Sequence, residues 1–208
     1  AVDPTQIPGE NAQRYFAKYN KQKRTFEALT ELIQETADDI QYLESISNAL
    51  DIALSEADLA QIKEELMQSG YIRRKHTKKK VKLTSKPMHY ISSDGYDMYV
   101  GKNNLQNEEL TFSFANGNDW WFHAKGAPGS HVIVKSGGDE LPDRTFEEAG
   151  RLAAYYSKNR GADKVEIDYI QKKHVKKPNG AKPGFVVYYT NYSLVIDSDI
   201  SNIKNVQD

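Results

Sequence analysis

Cysteine is absent from this 208-residue chain. Neither disulfide bonds nor thiolate-metal sites can therefore hold the fold together, which fits a reducing compartment. The sequence also lacks a signal peptide and any apolar run long enough to span a bilayer, so we expect no membrane segment. The chain begins with Ala1 rather than Met and a helical pattern starts almost at once. We therefore expect a piece of a longer protein.

Catalytic and metal-binding motifs are also lacking. A metal site would use His123, His131 and His174, but their spacing matches no familiar ligand pattern. Ser130 next to His131 does not make a nucleophile, because adjacent strand residues point apart and no Gly-x-Ser-x-Gly elbow is present. No glycine-rich phosphate loop precedes a helix. We expect a binding domain without a cofactor rather than an enzyme.

Charge is distributed unevenly, although the net charge is only −1. Residues 1–70 contain 6 basic and 13 acidic side chains, whereas residues 71–208 contain 22 basic and 16 acidic ones. Such an asymmetry favours contact between the second part and a polyanion. The alternative is that two domains simply differ in composition.

Apolar residues at a seven-residue period predict one long helix from Glu10 to about Ala53. They form the a/d seam typical of a coiled coil, and neither Pro nor Gly interrupts it. The seam consists of Tyr15, Tyr19, Phe26, Leu29, Ile33, Ile40, Leu43 and Leu50. A single helix cannot bury such a stripe by itself, so we expect a partner helix, either from upstream chain or from a second copy.

A second, shorter helix is predicted from Ser55 to Ser69. Ser55 and Asp58 have the spacing of a capping box, and Gly70 suits the position after the helix. A basic run follows, which is either a solvated linker or a contact to nucleic-acid phosphates. The residues of this run that we expect to contact phosphates are Arg73, Arg74, Lys78, Lys79 and Lys80.

Short β segments with turn signals predict an α+β domain over residues 87–200, a mostly antiparallel sheet with two packed helices. The rest of the chain is expected to be helical at 1–70, a basic linker at 71–86 and a tail at 201–208. One helix is expected at Asn104–Ser113, and another from a capping box of Thr145 and Glu148 to Gly161. A final hairpin is expected between Phe185–Thr190 and Leu194–Ile196.

The segment Asp119–His131 contains both tryptophans of the chain. In a strand, Trp121 and His123 share one face while Trp120 and Phe122 share the other. One face can then be core while the other presents an indole, an imidazole and the nearby Lys125 beside a Gly-Pro-Gly loop. The alternative is a buried aromatic strand in an ordinary hairpin.

The segment Gln171–Gly184 carries five lysines and one histidine. We interpret it as a basic β-hairpin that clamps a nucleic-acid backbone, the alternative being a solvated loop. The residues expected to contact RNA here are Lys173, His174, Lys176 and Lys177.

Several short motifs together resemble a known family. They are Asp119-x-Trp121-Phe122-His123, Pro128-Gly129-Ser130-His131, Leu152–Ser157, Lys173-His174-Val175-x-Lys177-Pro178, Lys182-Pro183-Gly184 and Glu10–Phe16. In combination they resemble the NFACT-R domain and the preceding coiled-coil and middle region of the NFACT family. The resemblance spans essentially the whole chain. The sequence has no counterparts to the family's N-terminal domain, helix-hairpin-helix segment and first coiled-coil arm, so we expect a C-terminal fragment.

The resemblance implies a cytoplasmic ribosome quality control function. Members of this family bind obstructed large ribosomal subunits with their rRNA, recruit alanyl-tRNA and support alanine tailing of stalled nascent chains. Some relatives in Gram-positive bacteria are known as fibronectin-binding proteins. The alternative function is therefore adhesion to fibronectin, which requires surface exposure without a signal peptide.

Within this scheme we expect Trp121 and His123 to stack on a base or ribose, because unpaired RNA bases are read on aromatic and imidazole planes. His131 belongs to the same RNA-contacting set, and Lys125 joins the lysines that engage phosphates. Asp119 either orients His123 or, together with Pro128, Gly129 and Ser130, locks the loop. The alternative for Trp121 is likewise a structural role, in which it helps to lock the Gly-Pro-Gly loop instead of stacking on RNA.

Overall fold

The computed structural model describes residues 2–73 and 85–206. The chain divides into two compact units, residues 1–42 and residues 43–208.

The first unit is the greater part of one long helix, α1, which runs from Pro8 to Ile52. Proline suits this first helical position because its missing N–H would have no partner there. Asn11 fastens the start of the helix, since its side chain accepts from the Asp3 N–H at 2.9 Å and donates to the Asp3 carbonyl. The predicted long helix is confirmed within two residues at each end.

A second helix, α2, spans Glu56–Gln68. Ser55 caps it by accepting from the Asp58 N–H, while the Asp58 carboxylate accepts from the Ser55 N–H at 3.0 Å. The predicted capping box is confirmed. Gly70 follows the helix with a φ of +83°, a conformation that glycine adopts without steric cost.

Seven antiparallel strands form one sheet in the second unit. The strands are β1 (Met88–Ile91), β2 (Asp97–Val100), β3 (Trp120–Ala124), β4 (Val132–Val134), β5 (Val165–Gln171), β6 (Tyr192–Ile196) and β7 (Lys204–Asn205). Their order is β6-β5-β3-β4-β2-β1-β7, and every pairing is antiparallel. The expected α+β class with a mostly antiparallel sheet is confirmed.

Each face of the sheet has its own hydrophobic core. Helix α4 (Asp143–Tyr155) packs on the first face, against residues such as Phe122 and Ile167. The second face buries Trp121 and Ile133 together with Leu110 of a π-helical turn (Leu110–Phe114) and Val175 of residues 172–187, called here the basic loop. The π-helical turn directly follows helix α3 (Asn104–Glu109). Because strand residues alternate between faces, neighbouring β3 residues serve different cores.

Three local predictions are wrong. Thr145 and Glu148 do not cap α4, because both side chains bind the β1–β2 turn instead: Thr145 donates to Asp94 at 2.8 Å and Glu148 accepts from the Ser93 N–H. Residues 185–190 do not form a strand of a final hairpin, since β6 pairs with β5. The basic segment is not a β-hairpin but a short 3₁₀ turn, Lys172–His174, followed by irregular chain.

The apolar seam of α1 predicts self-association through residues 15–50. Phe26, Ile33 and Ile40 are 72%, 68% and 56% exposed. Burying several such side chains is worth roughly 25 cal/mol per Å2, on the order of several kcal/mol after entropic losses. We expect light scattering to report a dimer at tens of micromolar and a monomer for the Ile33→Lys, Ile40→Lys variant. A monomeric wild-type chain with its helix intact would contradict this expectation.

Candidate nucleic-acid interface

Trp121 lies on the second face of the sheet, as the strand alternation predicts, but it has no exposed surface. Its ring contacts those of His123, His131 and Tyr188, with centroids 5.1 to 5.6 Å away. Among the described residues, no acceptor lies within hydrogen-bond reach of its ring nitrogen. A base cannot stack on a side chain that the protein already covers, so the predicted stacking on Trp121 is corrected to a packing role.

His131, at the start of β4, is also buried. Its Nδ1 lies 2.7 Å from the Thr111 hydroxyl and 3.2 Å from the Asn107 carbonyl. Burial lowers the pKa of His131 well below its usual range, and the nearby His123 lowers it further, against backbone hydrogen bonds to Asn107 and Gly184. The neutral ring therefore joins the π-helical turn to the basic loop, and the expectation that it contacts RNA is corrected.

His123 is the partly exposed member of this cluster. Its ring stacks on Trp121 at an interplanar angle of 20° and meets the edge of His131 at 5.4 Å. Burial lowers the pKa of His123 to about 4, although a hydrogen bond to the Gly129 backbone and the charge of Asp168 in the neighbouring strand oppose the shift. At neutral pH it offers an uncharged ring to a ligand.

Asp119 is buried just before β3 and makes no hydrogen bond to His123 among the described residues. Its carboxylate accepts from the backbone N–H of Asn116 at 2.7 Å and of Ser136 at 3.2 Å, and from Lys135 Nζ at 2.5 Å. These contacts tie together the two turns that flank β3 and β4. Asp119 therefore holds the end of the β3–β4 hairpin that lies opposite the Gly-Pro-Gly loop. Both roles expected for it, orienting His123 and locking that loop, are corrected.

The Pro128-Gly129-Ser130 loop packs against the end of α4. The Pro128 carbonyl accepts from the Lys158 N–H at 2.9 Å, and the Ser130 N–H donates to the Tyr156 carbonyl at 3.0 Å. A Cβ on Gly129 would lie 3.1 Å from that of Ser157, so the close approach favours glycine. The backbone of this loop is thus in direct contact with the end of α4.

The basic loop carries the exposed cations. Lys173, His174, Lys176 and Lys177 are all exposed, whereas Val175 between them is buried in the second core. Lys176 and Val187 exchange two backbone hydrogen bonds of 2.9 and 2.8 Å. The lysines are thus held on a segment that is anchored in the core at its centre and closed at its ends.

Glu108, near the end of α3, provides a further anchor for the basic loop. It accepts from Lys177 Nζ at 2.7 Å and from the Gly184 N–H at 3.3 Å. Gly184 has a φ of +79°, and a Cβ there would lie 3.0 Å from the side chain of Asn104. A larger residue would therefore push the loop away from α3.

Lys125, next to β3, is exposed and forms an ion pair of 2.5 Å with Glu166 of β5. This pair raises the pKa of Lys125, so the ammonium stays charged. By contrast, Lys173 and Lys176 have no ion pair with the described residues. Arg73 is exposed, while Arg74, Lys78, Lys79 and Lys80 lie outside the described residues.

Three residues of this site were not predicted from the sequence: Glu108, Asp168 and Tyr188. Asp168 accepts from the Tyr188 hydroxyl at 2.9 Å and from the Ser193 hydroxyl at 2.6 Å, which fastens the end of the basic loop to the sheet. Asp168 occupies a polar position in the alternation of β5, as Glu166 does, so the local sequence does not single it out. Nothing in the local sequence distinguishes Glu108.

None of the helices in the described part of the chain combines the length and apolar character needed to cross a bilayer. Among the same residues, no group of three or more His, Cys, Asp and Glu side chains is arranged to hold a metal ion.

Comparison with known proteins places this site in a family context. Residues 1–85 match the model of the NFACT N-terminal and middle domains, and residues 86–190 match the model of the NFACT protein RNA binding domain. The chain belongs to the NFACT family. The basic loop thus lies entirely within the match to the RNA binding domain.

Individual NFACT relatives agree with this assignment. The chain is 44% identical to the Rqc2 homolog RqcH of Streptococcus pneumoniae over all of its residues, and 40% identical to that of Bacillus subtilis over 97% of them. It spans 37% and 35% of the lengths of these two relatives. The solved C-terminal part of the fibronectin/fibrinogen-binding protein from Streptococcus suis is 42% identical, with a TM-score of 0.86 over 97% of this chain and 81% of that one.

The two neutral histidines predict a stability that falls with acid. Unfolded histidine takes up a proton near pH 6.5, but the folded chain does so only at lower pH, so the unfolded state binds more protons in between. The contribution of these histidines to stability is therefore full above about pH 6.5 and declines below it. The decline is at most about 1.4 kcal/mol per pH unit for each histidine. Urea unfolding between pH 7.5 and pH 5, above the range in which carboxylates titrate, measures this slope.

The His131→Gln variant is the control for that measurement. We expect it to be less stable than wild type at pH 7.5 but to show a shallower decline toward pH 5. If the unfolding free energy of the wild-type chain does not change between pH 7.5 and pH 5, the lowered pKa values assigned to His123 and His131 are wrong.

Proposed function

We propose that this chain binds RNA through the basic loop and acts in ribosome quality control, in contact with tRNA and the large ribosomal subunit. The observation that carries the proposal is the exposure of Lys173, Lys176 and Lys177 on one anchored loop of an RNA-binding domain. The similarity to two RqcH proteins supports the same role.

Anchoring matters because a flexible lysine loses conformational entropy when it binds. The basic loop is already fixed by Val175, by the Lys176–Val187 backbone pair and by Glu108. Its backbone therefore has little freedom left to lose when phosphates arrive. Each phosphate contact releases condensed counterions, which makes the affinity depend on salt but not on sequence.

His123 is the best-placed ring for a contact with a base. It is partly exposed, stacked on the buried Trp121 and uncharged at neutral pH. A neutral ring on a rigid support suits stacking with an unpaired base better than a mobile cation does. Lys125, two residues along the chain, supplies a charge for the adjoining phosphate.

By resemblance, we extend the proposal to alanyl-tRNA and to alanine tailing of stalled nascent chains by the complete protein, in the cytoplasm. Residues 87–200 would form the RNA-binding part, residues 1–70 a helical region that reaches along the ribosomal subunit, and residues 71–86 a basic linker between them. The exposed Arg73 belongs to that linker. Crosslinking of the complete protein in cells, with sequencing of the attached RNA, tests this extension. Recovery of neither tRNA nor large-subunit rRNA would contradict it.

A second candidate function is binding of fibronectin. The observation in its favour is the similarity to the Streptococcus suis protein, whose name refers to fibronectin and fibrinogen. Lysine-mediated RNA binding must weaken steeply with added salt and must compete with tRNA, whereas adhesion requires neither. Binding to immobilised fibronectin that resists both salt and tRNA would favour this second function.

Replacing Lys173, Lys176 and Lys177 by Ala tests the basic loop directly. We expect weaker tRNA binding, roughly uniform across tRNA species, because phosphate contacts carry no sequence information. The slope of log affinity against log salt should fall by about one unit for each lost contact. Filter binding or fluorescence anisotropy at several salt concentrations measures both quantities.

A matched control is the triple replacement of Lys63, Lys164 and Lys204 by Ala. These lysines are exposed, and the variant loses the same charge. If both triple variants lose affinity equally, net charge rather than the basic loop governs binding, and the site assignment is wrong.

The ion pair between Lys125 and Glu166 gives a prediction of opposite sign. The carboxylate of Glu166 is paired with the ammonium of Lys125, which a bound phosphate would otherwise contact. The Glu166→Gln variant keeps the shape of the side chain and releases Lys125, so tRNA binding should strengthen by about twofold, the size of an exposed ion pair. Glu140→Gln is the control, because it makes the same charge change at another exposed position. An equal effect of both variants would contradict a contact at Lys125.

A further inference from the structure

Strand β6 forms an edge of the seven-stranded sheet and lacks the usual protection of edge strands. It lies at one end of the strand order, and within the described residues it pairs only with β5. Natural proteins guard such edges with Lys, Pro, a bulge or an inward-pointing charge. The five residues of β6, Tyr-Ser-Leu-Val-Ile, contain no Lys, no Pro and no charge, and the pairing with β5 is continuous.

The register identifies which backbone groups of β6 face outward. The Lys125 N–H donates to the Glu166 carbonyl, so Glu166 and alternate β5 residues direct their backbone groups toward β3. Val165, Ile167 and Tyr169 therefore bond to β6, where their partners are Ile196, Leu194 and Tyr192. The remaining β6 residues, Ser193 and Val195, point two N–H and two C=O groups away from the sheet.

The side chains around this edge are apolar and exposed. Val195 is 61% exposed on the second face of the sheet, and Tyr192 is 62% exposed on the first. Tyr189, just before the strand, is 85% exposed. An added strand would cover apolar surface on both faces of the sheet while pairing the outward backbone groups.

We infer that β6 is a self-association edge whose occupant is β6 of a second copy of this chain. A two-fold axis at Leu194 pairs Ser193 of each copy with Val195 of the other. Every outward N–H then meets an outward C=O, which gives four backbone hydrogen bonds across the axis.

The charges around β6 also fit a second copy. No ionised side chain lies within the strand, so the two copies do not repel each other there. In the same register, Asp197, the residue after the strand, lies opposite Asn191 of the other copy. The charge of Asp197 is already balanced by Arg151 of its own chain at 3.2 Å, so no uncompensated charge faces the second copy. This edge contains none of the residues of the basic loop and associates independently of RNA binding.

The test uses the full 208-residue chain with Ile33→Lys and Ile40→Lys, which remove association through α1. Sedimentation velocity should show a monomer–dimer equilibrium that strengthens with concentration. In this background, Val195→Thr keeps the outward N–H and should still dimerise. Val195→Pro removes that N–H and leaves the bonds to β5 intact, so its dissociation constant should rise at least tenfold.

A crosslinking experiment tests the register, since the native chain contains no cysteine. Leu194→Cys places two cysteines opposite each other in a non-hydrogen-bonded pair, within the span of a disulfide. In Val195→Cys they lie more than about 7 Å apart, too far for a disulfide. Mild oxidation should therefore crosslink the first variant and not the second.

Leu194 packs closely against Gly150, so circular dichroism must show that Leu194→Cys folds. If it does not, mixed chains carrying Tyr192→Cys and Ile196→Cys test the same register, because these positions face each other across the axis. A monomeric background chain, a Val195→Pro dimer as strong as Val195→Thr, or crosslinking that is equal at positions 194 and 195 would each overturn the inference.

Discussion

The candidate RNA interface depends on the burial of Trp121 between the sheet and the basic loop. Trp121 shares the second core with Ile170 and Val175, and the ring of Tyr188 lies 5.1 Å from its own. Truncation of a buried aromatic side chain typically costs about 3–5 kcal/mol. The basic loop has little regular structure, namely one three-residue turn and one backbone pair between Lys176 and Val187. Its shape therefore follows from tertiary packing, and the hydrophobic core fixes the positions of the exposed lysines.

His123 and His131, which pack against Trp121, are uncharged at neutral pH. Two protonated imidazoles with ring centroids 5.4 Å apart would repel each other, and burial would add a desolvation cost to each charge. Burial lowers the pKa of His123 and His131, and the nearby His123 lowers that of His131 further, so at neutral pH the two rings add nothing to the positive potential of the interface. That potential comes from lysines at the surface, two of which are held by carboxylates: Lys177 by Glu108 and Lys125 by Glu166. A phosphate that binds either lysine replaces an existing partner, so the gain at these positions is smaller than at Lys173 or Lys176.

Periodicity predicted the regular elements of this chain well, because a helix or strand repeats its burial pattern along the sequence. It placed α1 within two residues and assigned Trp121 and Phe122 to opposite faces of β3. It did not show that both faces are covered, because the cover over Trp121 comes from an irregular loop more than fifty residues later. The failed capping box at Thr145 has a similar cause: the β1–β2 turn, distant in sequence, recruits both of its side chains. A local sequence pattern does not show whether a side chain will bind a neighbouring residue or one that is distant in the sequence. Glu108 and Asp168 were missed for the same reason, because their partners are distant.

Buried aromatic residues and exposed lysines have different roles in this domain, because the two kinds of contact differ in the geometry that they require. A buried indole or imidazole must fit a particular space with particular partners, so such residues stand out in the sequence beside glycines and prolines that shape the backbone. A lysine that meets a phosphate needs only to lie within reach of a diffuse negative charge. A run of lysines in the sequence therefore does not by itself distinguish a phosphate contact from a solvated loop. The conspicuous Asp119–His131 segment is mainly scaffold, with His123 its partly exposed ring. The lysines of the basic loop, which that scaffold holds at the surface, are the groups that we propose to meet RNA.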